Sequence, residues 1–127
     1  MKSRKKDKKL IWFSRVTGIL YALVLMLFSL DVFQSGGNLI TQLGGFLIHS
    51  VPSLLLFAIL FLTWNSSVLT GFLMLAYGLG FIAFSIISRT PSKIESAFLA
   101  TQILIFSPAL VIGVIFIYAV WHKRRVN

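Results

Sequence analysis

The chain has 127 residues, of which 57% are hydrophobic and 12% charged, about half the charged share of a soluble domain. A net charge of +9 with a mean hydropathy of +0.92 argues against a water-soluble fold, whose surface needs far more polar cover. There is no cysteine, which excludes disulfides, thiol redox chemistry, cysteine-ligated zinc and iron–sulfur clusters.

Residues 1–9 are a basic tail carrying Lys2, Arg4, Lys5, Lys6, Lys8 and Lys9. Such a run reads as a topology signal and a contact for anionic lipid headgroups. No base-reading fold accompanies it, so nucleic acid is not an expected partner. Four stretches then reach the roughly 20 mostly apolar residues needed to cross a hydrocarbon core of about 30 Å. They lie at about 10–30, 39–64, 68–88 and 97–121, and residues 122–127 form a second basic tail. The expected fold is all-α: a four-transmembrane-helix bundle over residues 10–121, leaving no room within these 127 residues for a water-soluble catalytic domain. A cleaved signal peptide is disfavoured, because Ser29-Leu30-Asp31-Val32-Phe33 offers no small-x-small site and the apolar run is long.

Ten basic residues, including Arg15 and the tail residues Lys123, Arg124 and Arg125, fall on one side of the spans. Only Arg89 and Lys93 fall on the other. The positive-inside rule then places both termini in the cytoplasm, and Trp12, Trp64 and Trp121 at that same interface. Asn65-Ser66-Ser67 matches a glycosylation pattern, but in a short cytoplasmic turn it reads better as a helix start.

Polar side chains inside spans are costly unless paired, and so mark candidate sites. His49 lies ten residues into the second span, near the midplane, and imidazole titrates nearest neutral pH of any side chain. It carries protons in one reading; in the other it is a neutral packing residue, favoured because no second ionisable group lies at its depth. Pro52 removes the helical donor of the Ile48 carbonyl, which Ser50, Ser53 or a partner helix is expected to satisfy. Ser107 and Pro108 do the same in the fourth span. His49, Ser50, Pro52, Ser53, Ser107 and Pro108 together form the candidate intramembrane polar site. Asp31, Arg89 and Lys93 form a candidate ion pair between the outer loops; the plainer reading is a solvated carboxylate worth little.

Leu47, Ile48, Ser50 and Trp64 align with Leu104, Ile105, Ser107 and Trp121 at a constant offset of 57 residues. Pro52 and Pro108 align one residue out of register. The pattern suggests two tandem helix-hairpin repeats, with chance resemblance of Leu-rich segments as the rival. Gly18 and Ala22, Ala76 and Gly80, and Ala109 and Gly113 are small pairs four apart, the spacing that lets helix backbones approach. Gly36-Gly37 and Gly44-Gly45 are read as setting the first loop and the start of the second span.

The sequence lacks a His-Glu-x-x-His metal motif, an intramembrane aspartate pair, a Gly-x-Ser-x-Gly elbow and a phosphate-binding glycine loop. No enzyme activity and no cofactor are expected.

Leu30-Asp31-Val32-Phe33, Leu47-Ile48-His49 with Pro52-Ser53, and Ser107-Pro108 with Gly113 and Phe116 together resemble a family of small four-span membrane proteins of bacteria and archaea. The resemblance covers about residues 18–121, and His-x-x-Pro-Ser is its most specific piece. It implies a four-helix fold and a prokaryotic cell membrane, and carries over no functional residues. In size the chain is also similar to small multidrug-resistance transporters, but its first span lacks their embedded glutamate. The sequence therefore points to an interaction or accessory subunit of the cytoplasmic membrane, partnered by anionic lipid and by a homo-oligomer or a membrane protein. The alternative is a small oligomeric transporter or channel with a pathway near His49.

Overall fold

A computed structural model describes residues 2–34, 36–88 and 96–125. Four helices account for nearly all of them: α1 (Lys2–Phe28), α2 (Leu39–Leu62), α3 (Ser67–Ile87) and α4 (Ser96–Arg125). No strand occurs among the described residues. Each helix carries a stretch long and apolar enough to cross a membrane, which suggests a multi-pass membrane protein.

The helices run further than hydropathy alone indicates. α1 starts at Lys2 and α4 continues to Arg125, because lysine and arginine favour helix about as well as leucine does. After α1 the chain tightens into a 3-10 helix, Ser29–Gln34, that includes Asp31. Gly36 and Gly37 then adopt φ of +73° and +122°, conformations open to glycine and strained for other residues. Asn38 caps α2 by accepting from the Thr41 amide at 2.9 Å. Gly44 and Gly45 lie within the first two turns of α2. Gly45 faces the 3-10 helix so closely that a Cβ would come 2.7 Å from Val32 Cγ1. Ser66 is the N-cap of α3, without a side-chain capping bond.

Consecutive helices are antiparallel neighbours, and α4 returns against α1 to close the ring. The start of α1 and the end of α4 therefore share one end of the bundle, here the terminal end; α1 and α3 finish at the other, distal end. Tyr21, Ala22, Leu56, Leu60, Met74, Phe106, Ala109, Ile112 and Phe116 fill its axis. Lipid tails are as apolar as leucine, so close packing rather than water exclusion has to hold such helices together.

The α3–α4 pair is the most extensive, and glycines make it so. A Cβ on Gly71 would lie 2.7 Å from Ile117 Cγ1 and 3.0 Å from the Gly113 carbonyl oxygen. One on Gly78 would lie 2.6 Å from Leu110 Cδ2. Ser85 Oγ donates to Gln102 Oε1 across the same interface at 3.0 Å. Gly18, Ala22, Ala109 and Gly113 are buried where helices meet, as their spacing suggests. Ala76 and Gly80 are not: both are exposed, and nothing lies within 4 Å of a Cβ on Gly80. Gly71 and Gly78, seven apart on α3, face α4 in their place.

Gly71→Ala should lower stability by about 1–3 kcal/mol, because it meets backbone that cannot step aside. Gly80→Ala should leave stability unchanged or raise it by up to about 1 kcal/mol. Thermal unfolding in detergent, followed by helical circular dichroism, measures both.

Candidate functional site

Pro52 breaks the hydrogen-bond ladder of α2 at the Ile48 carbonyl, and the nearby hydroxyls bond elsewhere. Ser53 Oγ donates to the Ser50 carbonyl at 2.8 Å, and Ser29 Oγ crosses from the 3-10 helix to the His49 carbonyl at 2.9 Å. The expectation that Ser50 or Ser53 satisfies Ile48 is thus corrected. A helical serine reaches carbonyls three or four residues back, and Ile48 is five behind Ser53 and only two behind Ser50. Only the position just before the proline lies three residues from the freed carbonyl, and in α2 that position is Val51. In α4 it is Ser107, whose Oγ does reach the Leu104 carbonyl freed by Pro108, at 3.3 Å. The aligned segments of α2 and α4 therefore differ in chemistry through their one-residue slip. Ser50 Oγ, on a residue only 1% exposed, is left without a hydrogen-bond partner among the described residues.

His49 and Pro52 line a pocket of about 140 Å³ with Leu25, Phe28, Ser29 and Phe106. Its floor is held on two sides. Tyr21 Oη donates to the Ile105 carbonyl at 2.6 Å, and the Phe106 ring stacks on Phe81 with centroids 5.1 Å apart. Tyr77 packs against both rings, and its buried hydroxyl finds no partner among the described residues. Beyond that floor Leu56, Leu60, Met74 and Phe116 occupy the axis, so the pocket is blind.

The candidate polar residues therefore do not converge on one site. His49 and Pro52 share the blind pocket, while Ser50 and Ser53 are buried in the bundle. Ser107 and Pro108 line a separate groove between α1 and α4, with Phe13, Ser14 and Thr17. Asp31 is exposed on the 3-10 helix; Arg89 and Lys93 lie outside the described residues. Among the described residues no three His, Cys, Asp or Glu gather into a group that could hold a metal ion.

A second polar cluster, at the terminal end, involves a residue counted only as a charge in the sequence. Arg15, half-buried in α1, donates through Nη2 to the Trp64 carbonyl and holds its Cζ 4.5 Å from the centre of the Trp64 ring. The last carbonyls of a helix lack intrahelical donors and carry partial negative charge, so the guanidinium suits the end of α2. Beside it the Thr63 and Thr70 hydroxyls bond at 2.8 Å, and Thr70 Oγ1 donates to the Ser66 carbonyl at 2.9 Å, tying α2 to α3 across their turn. The available signal was an arginine five residues into an apolar run, where it has to find a carbonyl, a ring or an acid.

Above that turn α2 and α3 part, and theirs is the thinnest of the four neighbouring contacts. Between them runs an open groove of about 520 Å³, lined by Val51, Leu55, Leu73, Ala76, Tyr77 and Gly80 among others. The exposed Ala76 and Gly80 form its shallow side.

The family described as Domain of unknown function (DUF7670) matches residues 1–127. No curated protein and no solved structure matches the chain.

Arg15→Leu should cost about 2 kcal/mol of stability, the sum of a charged hydrogen bond and a cation–π contact. Arg15→Lys should recover only part, because an ammonium lacks the planar fork that serves carbonyl and ring together. Thermal unfolding gives the loss, and a shift in tryptophan emission reports whether the Trp64 environment changes with it.

Proposed function

The chain belongs to the DUF7670 family, and from that premise we propose that it is a non-catalytic interaction or accessory subunit of the cytoplasmic membrane. Both termini face the cytoplasm, where ten basic residues meet anionic headgroups, and the helix faces engage a membrane-protein partner or a second copy. The observation that carries this reading is the α2–α3 groove. Of the four neighbouring pairs α2 and α3 pack least closely, and the apolar trough between them stays open, with Ala76 and Gly80 placed to admit another backbone. In lipid a close-packed helix–helix contact is itself the driving force for association.

A second reading, a small oligomeric transporter or channel with its pathway near His49, draws on the pocket that His49 and Pro52 line. The aromatic floor and filled axis weigh against it in this conformation.

Gentle extraction from the native membrane and native mass spectrometry should give a stoichiometric partner. Gly80→Trp, which fills the groove without touching the core, should release that partner and leave the melting temperature within a few degrees of the parent. Should Gly80→Trp keep the partner while His49→Ala abolishes pH-dependent flux in vesicles, the transporter reading replaces this one.

A further inference from the structure

The groove between α1 and α4 is distinct from the α2–α3 groove, and its shape and charge suit another occupant. Its walls are Phe13, Ser14 and Thr17 from α1, and Ser107, Pro108 and Ile115 from α4. It is hollow for a chemical reason: serine, threonine and proline project little, and each wall hydroxyl is bonded into its own helix. Ser14 donates to the Leu10 carbonyl, Thr17 to Phe13 and Ser107 to Leu104. The trough therefore presents carbon and offers no polar group that asks for a partner.

Its length and position are informative. Ser107 and Ile115 are eight residues apart, or about 12 Å along the helix, close to the roughly 15 Å of one leaflet's hydrocarbon. It begins near mid-span and runs towards the terminal end of the bundle. There Lys9 stands one helical turn beyond Phe13 on the same face of α1, and Arg125 lies over the Trp121 ring, 3.7 Å from its centre, at the end of α4. An apolar trough one leaflet long, ending under cations, is complementary to a molecule with a hydrocarbon chain and an anionic head.

We infer that the α1–α4 groove binds one acyl chain of an anionic phospholipid from the leaflet at the terminal end, with its phosphate held by Lys9 and Arg125. This rests on the membrane reading above and gives the general attraction of basic tails for anionic lipid a specific seat. A lysine stem laid along apolar surface with its ammonium at the headgroup level is the geometry such a seat requires. Ordering one chain against α1 and α4 also covers the flank that Pro108 and the small side chains leave thin.

The full chain, purified in mild detergent, is tested with phosphatidylglycerol, with phosphatidylcholine of the same acyl chains, and with soluble glycerol phosphate, counting retained molecules by native mass spectrometry. Phosphatidylglycerol should be retained over phosphatidylcholine by roughly fivefold for each basic side chain engaged, and Lys9→Gln should lower that preference by about the same factor. Thr17→Trp and Ser107→Trp, which fill the trough from opposite walls, should each release the lipid; using both guards against one variant failing to fold, which circular dichroism reveals. Equal retention of the two lipids overturns the inference, as does retention in both tryptophan variants or glycerol phosphate binding as tightly as the lipid. Loss on Ala76→Trp with retention in Thr17→Trp places the lipid in the other groove and also overturns it. Failure of the accessory reading shows separately, as the absence of a co-extracted protein, whatever the lipid counts are.

Discussion

Everything in this bundle is arranged around how closely α3 and α4 approach. Where Gly71 and Gly113 meet, each glycine's missing Cβ would stand about 3 Å from the other's carbonyl oxygen, leaving no space for a methyl group. In a solvent of hydrocarbon, apolar side chains gain little by leaving lipid for protein, so surfaces that interlock backbone to backbone decide which helices pair. With α3 and α4 so joined, α1 docks on α4 through the Tyr21 bond to Ile105 and on α2 through the Gly18 approach to Leu60. α2 is left with the fewest ties to α3, and the groove follows from that order of commitments.

The polar side chains follow a related rule. Most hydroxyls in the spans donate to a carbonyl of their own helix, three or four residues back. Tyr21, Ser29, Ser85 and Arg15 reach to another element, and each marks a place where two helices are fixed in register. Ser50 and Tyr77 do neither, and both flank regions where the packing thins.

Four apolar runs and their short connections made the fold legible in the sequence, because span length and hydropathy depend on no partner. The fate of the prolines was less so. Pro52 and Pro108 look equivalent in sequence, yet moving the serine from two residues before the proline to one decides whether the freed carbonyl has a donor. Small-residue spacing marked Gly18, Ala22, Ala109 and Gly113 together with Ala76 and Gly80 without separating the internal pairs from the exposed one, since spacing identifies a face but not what that face meets. Arg15 hid for another reason. A charge near a span's end is ordinary, and only folding brings the Trp64 carbonyl and ring to it from 49 residues away.

The Thr63–Thr70 tie closes the α2–α3 pair at its turn, while towards the other end each helix is held by a different neighbour: α3 by α4 through the Ser85–Gln102 bond, and α2 by the 3-10 helix through the Ser29 bond to the His49 carbonyl. α3 is 21 residues long, about 30 Å, so a divergence of about 5° between the two helices amounts to roughly 3 Å at the end away from the turn. The breadth of the groove is therefore set by the neighbours that α2 and α3 keep on either side, α1 and the 3-10 helix for one and α4 for the other.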